Sequence, residues 1–295
     1  MLRIITDSAS DLPKDYIEQH KLHVIPTPVV IDDIDYFDGA TIQTEEFYHI
    51  LDDIKRDVKT YHINPAMFTE AFIPYAKAGD SVIYLCFSTG IAGTFNAANI
   101  ALSNVLEDYP DFDLTIVDSK CASAGFGLLV SKLITMLEKG APKEEILEAA
   151  DYYISHIKHV FTVQTLAYLI KGGRLTKFKG TLAETLDMKP VLIVNEEGGL
   201  SVVKTVRGRK KALRYLIEYA KTNGCPTKNG MVSLCHGEDM DSLDFVNAMV
   251  QETFQPSHTM ISVVGCAIGA HTGRGIIGFC FFDADDGKYA TYFLD

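Results

Sequence analysis

At roughly 150 residues per domain, a chain of 295 residues suggests two domains, and 47% apolar with 22% charged residues is the composition of an ordinary folded protein. The net charge of −12 argues against nucleic acid as the main partner. No run approaches the roughly 18 uncharged apolar residues of a membrane helix, and the N-terminus MLRIITDSASDL reads as a strand, not a secretory signal.

In chain order, LRIIT (Leu2 to Thr6) is a first strand, followed by turn and cap residues and a helix from about Lys14. HVIPTPVVID is a second extended segment, and Pro26 and Pro28 place it at a sheet edge or in an irregular strand. Thr44 with Glu45 and Glu46 opens one helix and Asn64-Pro65 another. SVIYLCF (Ser81 to Phe87) and DLTIVD (Asp113 to Asp118) are buried strands, each followed by a Gly/Ser-rich turn and a helical pattern, near 94 to 107 and 125 to 139. A helix over about 143 to 157 ends this half. The alternation predicts a doubly wound, mostly parallel α/β domain over residues 1–157.

Beyond it the pattern changes, because PVLIVNEEGGLSVVKTV reads as two strands joined by the Asn195 to Gly199 turn, a hairpin and not a crossover. A helix from Arg209 to Thr222, strand MVSLCH, helix Ser242 to Phe254, strand MISVVG, a glycine-rich loop, strand IIGFCFF and a last strand YATYFL complete residues 158–295. This second α/β domain is expected to carry a mixed or antiparallel sheet with helices. No Pro/Gly/Ser linker separates the halves, so they are expected to pack across a cleft, the default place for a ligand.

Six cysteines without a C-x-x-C pair read as buried reduced thiols of a cytoplasmic protein. Nine histidines form neither H-E-x-x-H nor a zinc-spaced Cys/His cluster, so no metal or cofactor is expected. GRGIIG (Gly273 to Gly278) has the letters of a dinucleotide fingerprint, but it leads into a strand with only 17 residues left, too few for a βαβ unit. No P-loop motif exists.

Five segments each admit a functional and a plain reading. STGIAGT (Ser88 to Thr94), between strand and helix, is an anion site in outline or a tight capped turn. CASAG (Cys121 to Gly125) loosely resembles a nucleophile elbow, which would make Ser123 the nucleophile of an esterase or thioesterase with a downstream histidine; otherwise Ser123 is a helix cap. GAHTGRG (Gly269 to Gly275) sets His271 and Arg274 among glycines that permit close approach to a ligand. KGGRLTKFKG (Lys171 to Gly180) offers Arg174 to a carboxylate or phosphate, or is a solvated basic loop. VKTVRGRKKALR (Val203 to Arg214) is a solvated face or, through Arg207, Arg209, Lys210 and Lys211, a docking surface for an acidic partner. Residues 171 to 214 hold 11 Lys/Arg against 4 Asp/Glu, a local +7 in an otherwise acidic chain. These loops together point to an anionic small molecule.

The order of motifs carries more. TDSASDLP (Thr6 to Pro13), KTYHINPAMF (Lys59 to Phe68), STGIAGTFNAA (Ser88 to Ala98), VDSKCASAGFG (Val117 to Gly127), YLIKGGRLT (Tyr168 to Thr176), LDMKPVL (Leu186 to Leu192), VRGRKKAL (Val206 to Leu213) and IGAHTGRGIIG (Ile268 to Gly278) resemble, along essentially the whole chain, the DegV family of bacterial fatty-acid-binding proteins. The resemblance implies two α/β domains that hold one long-chain fatty acid, carboxyl at the interdomain cleft and tail buried. It also implies a non-catalytic, acyl-carrying subunit of a fatty acid kinase in phospholipid metabolism, with a separate ATP-using subunit as partner. By the resemblance, Thr60 looks like the family's carboxyl-binding threonine, Arg174 its arginine after the Gly pair, His271 its loop histidine, and Ala92 falls where a serine hydroxyl is usual. The backbone N–H groups of Ala92 and Gly93, with Thr89 or Thr94, are then the donors expected from that loop. Tyr61-His62-Ile63-Asn64 replaces the usual Ser-Gln-Pro-Ser and Arg274 a proline, so the mouth is expected to be bulkier and more cationic than is typical.

Overall fold

A computed structural model describes residues 1–53, 55–175, 187–226, 228 and 230–293. In chain order come β1 (Leu2–Asp7), α1 (Lys14–His20), β2 (His23–Ile25), β3 (Pro28–Ile31), β4 (Ile34–Phe37), α2 (Thr44–Leu51), β5 (Val58–Thr60), α3 (Pro65–Ala78), β6 (Ser81–Cys86), α4 (Thr94–Asp108), β7 (Leu114–Asp118), α5 (Ser123–Glu138) and α6 (Lys143–His156). They continue with β8 (Ile157–Thr162), α7 (Ala167–Lys171), β9 (Met188–Val194), β10 (Leu200–Arg207), α8 (Arg209–Thr222), β11 (Met231–His236), α9 (Met240–Phe254), β12 (His258–Val263), α10 (Cys266–Thr272) and β13 (Ile277–Phe282). Residues 176 to 180 of the basic loop and Leu186 of LDMKPVL lie outside the described residues.

Strands β2-β1-β6-β7 form an all-parallel sheet. Its strands read as continuous apolar runs because both faces are covered. Ile83 and Leu85 of β6 face α5, while Val82, Tyr84 and Cys86 face Phe68 and Phe72 of α3 and the alanines of α4, the period-two split of a strand. Asn64 accepts from the Met67 N–H at 3.0 Å and Pro65 takes the first turn of α3, so that start was readable in the sequence. The second sheet has the order β10-β9-β8-β13-β11-β12, antiparallel except for the β11/β12 pair. Helices α8 and α9 cover one of its faces. The fold is thus the expected α/β class, with a parallel sheet followed by a mixed one.

Helix α5 lies between the sheets, touching β1 on one side and β8, β11, β12 and β13 on the other. It is apolar almost all round, as a fully enclosed helix must be. Gly125 and Gly127 allow the approach, since an added Cβ would sit 2.1 Å from His159 Nε2 at the first and 2.6 Å from the Ser10 carbonyl at the second. The β9–β10 hairpin reaches across to the first sheet, where Ser88 Oγ donates to the Gly198 carbonyl at 2.8 Å.

Three expected elements take another form, and β4, β5, β8 and α7 have no counterpart in the sequence reading. The extended segment His23 to Asp32 divides, β2 joining the edge of the parallel sheet and β3 the middle of a small antiparallel sheet, β4-β3-β5. The glycine-rich loop after β12 contains helix α10, whose first N–H groups are satisfied by distant carboxylates. The expected last strand YATYFL is a 3-10 helix over Gly287–Phe293: Tyr289 is buried beside Tyr153, and Lys132, paired with Asp286, lies 3.7 Å from the Phe293 ring centroid. All six cysteines are free and buried. No helix among the described residues is long and apolar enough to cross a membrane.

Candidate functional site

Between α5, the second sheet and the loops that end β1, β5 and β6 lies a cavity of about 90 Å³ that opens to solvent. Phe87, Ile91, Ala122, Phe161, Leu169 and Val194 give it an apolar wall. Its polar groups are few, which is the composition of a small-molecule site.

One end gathers residues from four separate segments. Thr60 ends β5, and its Oγ1 lies 2.6 Å from Nε2 of His271 on the last turn of α10. The other ring nitrogen, Nδ1, is buried without a partner and rests on Gly172, where a Cβ would lie only 2.0 Å away. Burial, and next the positive charge of Arg174, lower the His271 pKa to about 4, so the imidazole is neutral at pH 7. Gly173, with φ +73°, turns the chain back after α7 and the Arg174 N–H closes on the Leu169 carbonyl at 2.9 Å. This aims Arg174 at the cavity, where Nη1 donates to the Gly172 carbonyl at 2.6 Å. Arg174 is half-buried, and among the described residues no carboxylate pairs with it. It also borders an outer recess formed by Thr89, Ala92 and Gly93.

That recess is the N-terminus of α4. Its cap residue Gly93 offers no side chain, so the first N–H groups of the helix are left for solvent or a ligand. The Ala92 N–H donates to the Ser88 carbonyl at 3.1 Å, so it serves the turn, and the expectation that it donates to a ligand is corrected. No bond from the Gly93 N–H occurs among the described residues. His62 stacks against Gly93, 3.6 Å from where its Cβ would be, and Thr94 lines the inner wall.

Other expected residues are engaged elsewhere. Thr89 Oγ1 donates to Asp118 at 2.5 Å and accepts from Lys120 at 3.0 Å, so its hydroxyl is not a free donor. Arg274 pairs with Asp52 at 3.0 Å and Glu238 at 2.5 Å and does not line the cavity; the mouth gains no second free cation from it. Arg209 is held by Asp239 at 2.9 Å and the Gly275 carbonyl at 2.5 Å, which removes it from the exposed basic set, whereas Arg207, Lys210 and Lys211 are exposed. Ser123 does line the cavity, at φ +51°, but its hydroxyl donates to Asp11 at 2.5 Å. No histidine is hydrogen-bonded to it among the described residues, so the Ser–His pair of the esterase reading is not assembled.

Two residues that shape this end had no role in the sequence reading. Asp11 accepts from the Gly265 N–H at 2.9 Å, and Asp38 accepts from the Cys266 and Ala267 N–H groups at 2.9 and 3.1 Å. Together they cap α10, and so fix His271, from more than 220 residues away in sequence. Burial raises the pKa of both carboxyls. Asp11 was visible within TDSASDLP, but nothing local announces its partner. Among the described residues no cluster of three or more His, Cys, Asp or Glu could hold a metal ion.

Fold and site together define an α/β protein built around an apolar interior cavity with a polar, half-buried mouth. The chain belongs to the DegV family: residues 1–284 match the family described as "uncharacterised protein, DegV family". A DegV domain-containing protein of Caldanaerobacter subterraneus subsp. tengcongensis is 34% identical over 280 residues, 95% of this chain and 98% of that protein. Among solved structures, a stearic acid-binding protein of Eubacterium ventriosum superposes with a TM-score of 0.85 at 29% identity, covering 99% of this chain and 100% of that one. A DegV family protein from Thermus thermophilus, solved for its fatty acid binding, gives a TM-score of 0.85 at 25% identity, covering 96% and 99%.

Proposed function

We propose that this chain binds one long-chain fatty acid between its two halves, residues 1–157 and 158–295, with the carboxyl at Thr60, Arg174, His271 and the N-terminus of α4 and the tail in the cavity. The observation that carries the reading is Arg174, a half-buried cation with no carboxylate partner among the described residues, at the end of an apolar cavity. The fatty acids named for solved relatives support it. Burying about 14 methylenes at roughly 0.8 kcal/mol each gives on the order of 11 kcal/mol before ordering costs, so the tail supplies affinity. The mouth supplies orientation through charge-assisted hydrogen bonds.

In this reading the protein is not an enzyme by itself. It works in the cytoplasm and presents the carboxylate to a separate kinase subunit that brings ATP and metal. A carboxylate oxygen forms the bond to the γ-phosphorus, the bridging bond to the β-phosphate breaks, and ADP leaves with the electron pair, giving acyl phosphate. Exposed Arg207, Lys210 and Lys211 are the proposed contact for that subunit.

Titration of delipidated protein with palmitate and with hexadecanol tests the mouth. Removing the charge-assisted bonds with Arg174→Ala is expected to weaken palmitate binding by about 10- to 100-fold and hexadecanol binding little. Equal loss for both, or no palmitate binding by the unaltered protein, would overturn the assignment.

A further inference from the structure

Strand β7 is one edge of the parallel sheet and pairs with β6 on its inner side. There the Val82 N–H donates to the Asp113 carbonyl at 2.8 Å and the Ser119 N–H to the Cys86 carbonyl at 3.0 Å. Main-chain groups alternate in direction along a strand, so Asp113, Thr115, Val117 and Ser119 turn theirs toward β6, and Leu114, Ile116 and Asp118 turn theirs outward. No bond to these outward N–H and C=O groups occurs among the described residues. The helices on either face leave the edge uncovered: it lines a groove of about 440 Å³, open to solvent, walled by Phe95 of α4 and by Leu147 and Asp151 of α6. Ile116 packs with Phe95 on the α4 face of the sheet, and Val117 with Leu147 on the α6 face.

We propose that this groove docks a partner protein through an extended, cationic segment, which joins the sheet as a fifth strand beside β7. Main-chain hydrogen bonds to Leu114, Ile116 and Asp118 supply the affinity, as in other cases of strand addition to an open sheet edge. Charge selects the partner. Glu144, Leu147 and Asp151, at i, i+3 and i+7, share one face of α6, and neither carboxylate has a cationic partner among the described residues. The cations nearby are already paired, Lys143 with Asp113 at 2.7 Å and Lys120 with Asp118 at 2.7 Å. An added strand alternates its side chains between the two walls, so Lys or Arg at every second position meets the α6 carboxylates while apolar residues between them meet Phe95. A second copy of this chain is the poorer occupant, because a two-fold pair of β7 strands would set the α6 carboxylates of one copy against those of the other. Phe95 also lines the recess beside Arg174, so the docked partner stands next to the mouth.

The probe is a capped peptide that alternates Lys with Val, and its controls carry Glu in place of Lys or Pro in place of every second Val. Amide hydrogen exchange of the whole protein is followed by NMR with each peptide. The expected result is that the lysine peptide slows exchange at the Ile116 and Asp118 amides by about tenfold or more, while Thr115 and Val117, already bonded to β6, change little. The two control peptides leave all four amides as they were. Reversing both α6 charges, in the exposed double variant Glu144→Lys with Asp151→Lys, should weaken the lysine peptide by about tenfold. No binding of the lysine peptide, binding without slowed exchange at Ile116, equal binding of the proline peptide, or undiminished binding to the charge-reversed variant would each overturn the proposal. So would protection of the same amides by protein concentration alone, which would assign the edge to a second copy. None of these outcomes touches the fatty-acid reading, which the palmitate titration tests separately.

Discussion

At Gly172 the space for a side chain is already filled by a ring nitrogen. A methyl group there would meet His271 Nδ1 at 2.0 Å and the Tyr168 carbonyl at 3.1 Å, so Gly172→Ala must push the imidazole away from Thr60. Fatty-acid affinity is expected to fall by about tenfold, the worth of one charge-assisted hydrogen bond, in a calorimetric titration; unchanged affinity would detach His271 from the mouth. The Gly pair was legible in the sequence, but only as the setting for Arg174. Its first glycine turns out to be the seat of a histidine 99 residues further on. His159 and His271 also predict a pH dependence. The unfolded chain protonates them below about 6.5, the folded protein only near 3 for His159 and 4 for His271. Their contribution is therefore complete above pH 6.5 and lost as the pH falls through this window. Asp7, raised to about 6 by burial, acts in the opposite sense, its contribution fading as the pH rises from 3.8 to 6. His159→Leu should accordingly flatten the loss of unfolding free energy between pH 6.5 and 4, followed by urea denaturation. NMR titration midpoints near 6.5 for both rings would contradict the buried, neutral state.

Helix α10 shows how an element can be hidden by its own composition. With Gly265, Gly269 and Gly273 around seven residues, it reads as a loop, because glycine costs about 1 kcal/mol in a helix interior. The helix stands because Asp11 and Asp38 satisfy its first N–H groups and because glycine alone fits there: a Cβ at Gly265 would lie 2.6 Å from Asp11 and one at Gly269 2.9 Å from Phe47 and Tyr48. Asp38→Ala leaves two buried N–H groups unsatisfied and is expected to cost about 1–3 kcal/mol of unfolding free energy, with weaker fatty-acid binding through the displaced His271. A loss confined to the ordinary surface range of about 0.5 kcal/mol would show that α10 does not depend on this cap. Elements whose cause is local were legible: the Asn64-Pro65 helix start, the Asn195 to Gly199 hairpin, and the apolar runs of β6 and β7. The C-terminal 3-10 helix was not, because its aromatic residues alternate like a strand and are set instead by packing on Tyr153 and Lys132.

On the scale of the whole molecule, the two sheets do not touch edge to edge but meet through α5, the hairpin tip and α10, and the cavity is the space these connectors leave. That arrangement follows from composition in one respect. A helix as uniformly apolar as α5 needs a layer on either side, and a 295-residue chain supplies two sheets to provide them. The polar end of the cavity was legible where its residues follow a glycine-rich signature, as with Arg174 and His271, both of which line it. It was not legible where charge is neutralised across the fold, as with Arg274 against Asp52 and Glu238 or Arg209 against Asp239, since such pairings exist only after folding. The central claim is that the cavity holds the tail of a long-chain fatty acid. Denaturing mass spectrometry of lipid extracted from the purified protein tests it most directly. The account predicts a long-chain fatty acid approaching one per chain, either retained through purification or acquired on incubation with palmitate or oleate. Protein that carries no acyl chain, and takes up none after that incubation, would contradict it.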